Sequence, residues 1–403
     1  MIRNPTKIKT KNRGATNIFI LGFVSLFIDM STEMVYPVLP LFLVALGTAP
    51  ALIGVIEGIS ESIAAFLRVA SGYVSDKTSK KKTLAILGYS AAFLYKVLIL
   101  LSSGWFGILI AKIVDRTGKG IRTAPRDSLI AEAGGAQLGN SFGIHKMLDM
   151  LGSALGVLLA YLILSYDYAY KAVFIWSLAP ALIGVSLLFF VKEVKNIVPP
   201  QREKFAIKNI KLPKRLWFYL VTVFIFSVGN SSNAFLLLKA QSNGFDDKTV
   251  LLVYLAFNLS ASLLSIPFGK ISDKFGRRPL IVSGYILYAL VYLGFALFTQ
   301  SYMMFVLFVV YGIYSAMLTG AEKALMVEMA PPHLKGTALG LQGMAQGIGL
   351  FISSIIAGLL WQFVGNNFPF YFGATMALIA AVMMIIILSY KTKANTQTEN
   401  DIA

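Results

Sequence analysis

The sequence contains no cysteine, which excludes a disulfide framework, a thiolate-ligated zinc site and a redox thiol. Charge is scarce too: 14% of residues are charged, against about 25% in soluble domains. Acids are the scarcer sign, with 19 Asp and Glu against 36 Lys and Arg, a formal net charge of +17. There are two histidines. A pairing of His145 with Asp149 is too thin a donor set for a metal centre, so no metal and no cofactor is expected. No Ser/His/Asp cluster stands at a membrane face, so an enzyme is not expected. A glycine-rich loop ending in Lys-Ser/Thr is missing, which removes ATP as the direct energy source. No stretch alternates apolar and polar residues at period two, and a membrane β-barrel is thereby excluded.

What is present is apolar. The 403 residues are 57% hydrophobic and include 29 Phe. A soluble domain of this composition would expose large apolar patches, and disorder requires low hydrophobicity. The basic excess has no hydrophilic face on which to meet nucleic acid. The chain therefore reads as an integral membrane protein in a lipid bilayer. A spanning helix takes roughly 20 apolar residues, and twelve candidates begin near Asn17, Ala51, Thr83, Trp105, Phe142, Lys171, Leu216, Val250, Pro279, Tyr302, Gly336 and Pro369.

Lys and Arg collect in cytoplasmic loops. Arg3, Lys7, Lys9, Lys11 and Arg13 precede the first span, Lys77, Lys80, Lys81 and Lys82 follow the second, and Lys270, Lys274, Arg277 and Arg278 follow the eighth. The alternate turns, near Thr48, Ser103, Gln300 and Asn366, carry no charge. Both termini are thus expected on the cytoplasmic side of the cell (inner) membrane. Asp29 and Glu33 interrupt the first apolar run and argue against a signal peptide.

An internal repeat appears at an offset near 197. Gly72-Tyr-Val-Ser-Asp76-Lys77 recurs as Gly269-Lys-Ile-Ser-Asp273-Lys274, and the segment Gly139–Gly152 aligns without a gap on Gly336–Gly349. Arg126–Glu132 lies over Glu322–Glu328 at offset 196. Three matches in order imply two homologous six-helix halves. The expected organisation is a basic N-terminus over 1–15, a bundle over 16–195, a linker over 196–214, a second bundle over 215–390 and a tail over 391–403.

The loops Gly72-x-x-x-Asp76-Lys77-x-Ser79-Lys80-Lys81 and Gly269-x-x-x-Asp273-Lys274-x-Gly276-Arg277-Arg278 resemble the signature of the major facilitator superfamily. The second copy is the stricter, since Ser79 stands where the family has Gly. Mechanically, a Gly there permits close helix approach, and an Asp caps a helix end or pairs with an Arg. Arg116-x-x-x-Gly120-x-x-x-Ala124 resembles the fourth-span pattern of the same superfamily, whose Arg is tied to proton coupling. Gly152-x-x-x-Gly156 is followed by Val157, not the Pro of the drug/proton antiporters, so that specific antiport signal is absent. The resemblance covers the whole chain. It implies an all-α integral membrane fold: twelve transmembrane helices in two pseudo-symmetric six-helix bundles, functional as a monomer.

Ionisable residues inside spans are costly and by default mark function. Asp29 and Glu33 stand four residues apart on one helical face, and Glu57 and Glu61 repeat the spacing. The fourth span carries Lys112, Asp115, Arg116, Lys119 and Arg122 at steps of three and four, and the fifth opens with His145, Lys146 and Asp149. These faces are expected to meet one another or a water-filled cavity. In one reading they are structural ion pairs; in the other, a desolvated carboxylate binds and releases a proton, with Asp29, Glu33 and Arg116 foremost. Glu57 is expected near the outer interface, and Arg68 and Lys96 are expected to snorkel.

In the second half the matching positions are neutral: Asn230, Ser231 and Asn233 in the seventh span, Asn258 for Glu61, Gln342 for His145 and Gln346 for Asp149. Tyr254, Tyr285, Tyr288, Tyr311 and Tyr314 add hydroxyls and aromatic walls that suit an organic solute or serve ordinary packing. Glu322 and Lys323 are expected to form an ion pair at the cytoplasmic end, and Gly343-x-x-x-Gly347-x-Gly349 to pack helices closely. The expected function is a secondary transporter, proton-coupled, that exports a small organic solute by alternating access. The alternative is an organic-anion or metal-chelate transporter, motivated by the four bases of the fourth span. A membrane-embedded enzyme or receptor is the remote one.

Overall fold

A computed structural model describes the backbone of residues 5–78, 81–134, 138–191, 213–331 and 334–400. Within these, the side chains of 5–15, 68–69, 72–78, 134, 138–140, 142, 336 and 387–400 lie outside the description, as does the expected linker except at 213–214. The described residues are helical, with no strand. In order the helices are α1 (Pro5–Val35), α2 (Val38–Ala45), α3 (Pro50–Thr78), α4 (Lys81–Leu101), α5 (Trp105–Gly134), α6 (Leu138–Ser165) and α7 (Tyr170–Leu187). After the linker come α8 (Lys214–Gly229), α9 (Asn233–Ser242), α10 (Asp247–Phe275), α11 (Arg277–Leu297), α12 (Ser301–Met329), α13 (Lys335–Phe363) and α14 (Phe368–Asn400).

Eleven spans are long and apolar enough to cross a membrane; two of them are the broken pairs α1/α2 and α8/α9. The twelfth is α5, whose seven charged side chains between Lys112 and Asp127 set it apart. The first span breaks at Tyr36-Pro37 because the proline ring removes an N–H and clashes with the carbonyl four residues back. The seventh breaks over Asn230-Ser231-Ser232, where the Ser232 hydroxyl accepts the Ala234 N–H at 3.3 Å and caps α9.

The described residues divide into two compact units. One holds 5–48, 63–191 and 247–255; the other holds 49–62, 213–246 and 256–400. Each of α3 and α10 therefore contributes one end to each unit. In the first unit α1 packs on α6 and α7, and α4 packs on α5 and α7. The second repeats the scheme, α8 on α13 and α14, and α11 on α12 and α14. In the first unit's core Leu21, Val24 and Ile28 meet Ala85, Tyr89, Ala92, Leu129 and Ile130. Apolar side chains such as Leu158, Leu162, Trp176 and Leu182 are exposed, as a lipid-facing surface requires.

Two small residues set how closely α1 and α6 approach. A Cβ on Gly152 would stand 2.8 Å from the Leu26 carbonyl carbon, and one on Gly156 would stand 3.0 Å from that of Met30. The Gly152-x-x-x-Gly156 motif is thus a backbone contact surface. The expectation for the thirteenth helix is corrected at Gly343, which has open space where a Cβ would be; Gly349 does pack, against Ser227 of α8.

Candidate functional site

In the first unit, α1, α4, α5 and α6 hold the charges. Lys112, Asp115, Arg116 and Arg122 of α5 are all buried, and Lys119 is half-buried. Arg116 stands 3.5 Å from Asp115 and lies over the Tyr36 ring at 6.0 Å, while the Arg122 guanidinium lies over the Tyr89 ring at 4.6 Å. The expected snorkelling of Lys96 is overturned. Its side chain is fully buried because it faces α5, where Asp115 attracts it, and its Nζ has no hydrogen-bond acceptor among the described residues. The side chain of Arg68 lies outside the described residues.

Asp29 and Glu33 do share a face of α1. The Ser25 hydroxyl, one turn before Asp29, donates to Asp149 Oδ1 at 2.7 Å and stands 3.4 Å from Asp29 Oδ2. Lys146 holds the other oxygen of Asp149 at 2.8 Å. The two carboxylates are close enough to repel each other, and among the described residues no base forms an ion pair with Asp29. Glu33 accepts a hydrogen bond from Tyr254 at 3.2 Å. His145 is buried with Nε2 unpartnered, and no group of three metal-ligating side chains occurs among the described residues.

Glu57 is corrected. It is 1% exposed, belongs to the second unit, and accepts the Ser232 hydroxyl at 3.0 Å beside the N-terminus of α9, where the helix dipole favours an anion. Glu61 is half-buried. The second unit also gathers a tyrosine cluster. Tyr311 donates to Asn233 at 2.9 Å, Tyr314 stands 3.4 Å from Tyr311, and Tyr288 donates to the Gly229 carbonyl at 3.0 Å. Tyr288 stacks on Tyr292 at 4.0 Å and Phe226 on Tyr285 at 4.2 Å. Asn230 is half-buried and Ser231 buried. Among the described residues, Gln342, with both amide atoms, and Asn258, with its amide nitrogen, have no hydrogen-bond partner in the interior.

The expected Glu322–Lys323 ion pair is also overturned. Adjacent residues on a helix point about 100° apart; Lys323 is exposed, while Glu322 turns inward to Tyr285 at 2.9 Å and Gln346 at 3.0 Å. In the second signature loop, Gly269 is exposed, with no described atom within 4 Å of where a Cβ would stand, and Asp273 lies 3.7 Å from Arg277. Arg277 also reaches Glu328 and the Ala324 carbonyl, both at 3.0 Å. Lys274 is exposed and Arg278 half-buried. The conformational demand falls on Gly276, whose φ of +94° turns the chain from α10 into α11. The side chains of Gly72, Asp76 and Lys77 lie outside the described residues.

The family model of the Major Facilitator Superfamily matches residues 21–239 and 221–402. The chain belongs to the major facilitator superfamily. An uncharacterized MFS-type transporter of Methanocaldococcus jannaschii is 36% identical over 382 residues, covering 92% of this chain and 94% of that one. The quinolone resistance protein NorA of Staphylococcus aureus is 26% identical over 145 residues, 36% of this chain and 37% of that one. A crystal structure of a variant of the nucleoside transporter NupG superposes with a TM-score of 0.78 at 12% identity, covering 92% and 99% of the two chains.

This member of the major facilitator superfamily is accordingly a multi-pass secondary transporter and not an enzyme. Several of its buried polar residues escaped the sequence reading. Ser25 is one of many serines in spans, and only its place between Asp29 and Asp149 marks it. Tyr292 is one of many aromatics in apolar spans, and nothing in its neighbourhood along the chain sets it apart. Lys96 was visible as a lone base in an apolar span, but its burial was not.

Proposed function

We propose that this transporter is driven by the proton gradient and exports a small organic solute, with Asp29 as the proton carrier. The observation that carries the reading is the Asp29–Ser25–Asp149 arrangement. The Ser25 hydroxyl has one proton and commits it to Asp149 at 2.7 Å, and Lys146 supplies that carboxylate with a counter-charge. Asp29 has only the longer 3.4 Å contact to that hydroxyl and no ion pair among the described residues, Arg122 and Arg126 acting on it from farther off, and two acids this close are most easily accommodated when one is protonated. Glu33, which accepts a hydrogen bond from the neutral Tyr254, lies one turn along the same face of α1, and Arg116 of α5 attracts it; both serve the same site. Similarity to a quinolone resistance protein supports export, the direction in which a transporter confers resistance. The tyrosines of the second unit supply solute contacts, together with Asn230, Ser231, Asn233, Asn258, Gln342 and Gln346. The transporter works as a monomer in the cell (inner) membrane, both termini cytoplasmic.

The test uses inverted membrane vesicles energised to an acidic interior, with a pH-sensitive dye and a panel of quinolones, amphiphilic amines and organic anions. At least one compound is expected to release protons in the wild type, and the signal should vanish with a protonophore and in Asp29→Asn. Transport of a panel compound that ignores both treatments overturns the reading. A second reading, transport of an organic anion, has its own observation: Lys96 Nζ and Arg122 Nη1 are buried donors without acceptors among the described residues. Proton release by the anions of the panel alone would favour it.

A further inference from the structure

We propose that Glu322, on α12 in the second unit, is a second proton-binding carboxyl of the transport cycle. Its place in the cycle rests on the proton-driven reading above; its protonation does not. The two units differ at equivalent positions. By the internal repeat, Arg126 corresponds to Glu322 and Asp149 to Gln346. In the first unit these positions hold a base and an acid that attract each other. In the second they hold an acid and a neutral amide, joined at 3.0 Å. The base has been exchanged for an acid that forms no ion pair among the described residues.

The side-chain hydrogen-bond partners of Glu322 are neutral. The residue is 7% exposed. Tyr285 of α11 donates to Oε1, Gln346 of α13 donates to Oε2, and Tyr219 of α8 donates to the Glu322 main-chain carbonyl at 3.1 Å. The titratable groups that face it are Tyr219, Tyr285 and Tyr314, with Lys323 of its own helix acting from an exposed position. One turn from Gln346, the buried Gln342 amide is unpartnered.

An ionised carboxylate held only by neutral donors is expensive in a bundle interior. The partners here fit both charge states. A tyrosine hydroxyl donates to a carboxylate and accepts from a carboxylic acid, and a glutamine amide offers N–H to the first and, turned over, its carbonyl to the second. Binding forms one O–H bond on a carboxyl oxygen and release breaks the same bond, with water as the carrier, so no other reactant is needed. The site keeps its hydrogen bonds as its charge changes, which a structural ion pair cannot do.

The experiment is infrared difference spectroscopy of the purified full-length protein in lipid nanodiscs as pH is raised. The wild type is expected to show a carboxylic C=O band that is lost on deprotonation, absent in Glu322→Gln and retained in Asp29→Asn. In Tyr285→Phe the same band should persist at a shifted frequency, because one partner is gone and the acid remains; this variant keeps the test decisive if Glu322→Gln folds poorly. Identical bands in the wild type and Glu322→Gln, or no shift in Tyr285→Phe, overturn the proposal. So does a Glu322 that stays ionised throughout and instead binds tetraphenylphosphonium, since the site would then take an organic cation. Insensitivity of transport to a protonophore and to Asp29→Asn would sink the proton-driven reading while leaving the band in place.

Discussion

At the scale of single residues, Lys96 states the tension between stability and function. Its ammonium is buried without an acceptor among the described residues, and a buried unsatisfied polar group costs about 1–3 kcal/mol. Replacing it by Met keeps the length of the side chain and removes the charge. Lys96→Met is therefore expected to raise the thermal midpoint in detergent, read by intrinsic fluorescence, while weakening any anion recognised there. A lowered midpoint would mean that the ammonium stabilises the bundle through its attraction to Asp115. Legibility at this scale was uneven. Asp29, Glu33, Arg116 and Asp149 were visible because charge is rare in an apolar span. Their pairing was not, since Ser25 reaches Asp149 from 124 positions away, a separation no local pattern encodes. Glu57 and Glu322 were misplaced for the same reason: their partners, Ser232, Tyr285 and Gln346, come from other helices.

Helix ends and helix contacts were more legible. Ten of the twelve spans begin within three residues of the positions read from apolar runs, and the exceptions are informative. α1 starts at Pro5 and α6 at Leu138, ahead of their apolar stretches, because backbone hydrogen bonding continues a helix past the point where its side chains turn polar. The glycine motif of α6 has a definite role here. Gly152→Val would drive a branched side chain into the α1 backbone at Leu26, and overpacking of this kind costs typically about 1–3 kcal/mol. The variant is expected to unfold at a lower temperature than Gly343→Val, where the structure offers open space. Equal midpoints would show that α1 and α6 can separate without penalty. The separation of Asp29 from Asp149 depends on the same contact, so the first variant should also impair proton-linked transport.

For the whole molecule, the absence of cysteine makes the proposed orientation directly measurable. Gln300→Cys, in an uncharged turn, is expected to react with a membrane-impermeant maleimide on intact cells. Lys270→Cys, in the basic signature loop, should react only after permeabilisation. The reverse pattern would invert the topology and with it the reading of both termini. The sequence by itself determined the class, the number of spans and the division into two related halves. These follow from hydrophobicity, the placement of Lys and Arg and an internal repeat, all additive properties of the chain that need no knowledge of contacts. Only the tertiary structure decided which charges are paired. It placed Asp29 beside Asp149 across a single hydroxyl, withdrew Lys96 from the lipid boundary and left Glu322 among neutral donors. In a low-dielectric interior the fate of a charge is set by the few atoms within hydrogen-bonding reach, and those atoms are supplied by helices remote in the sequence.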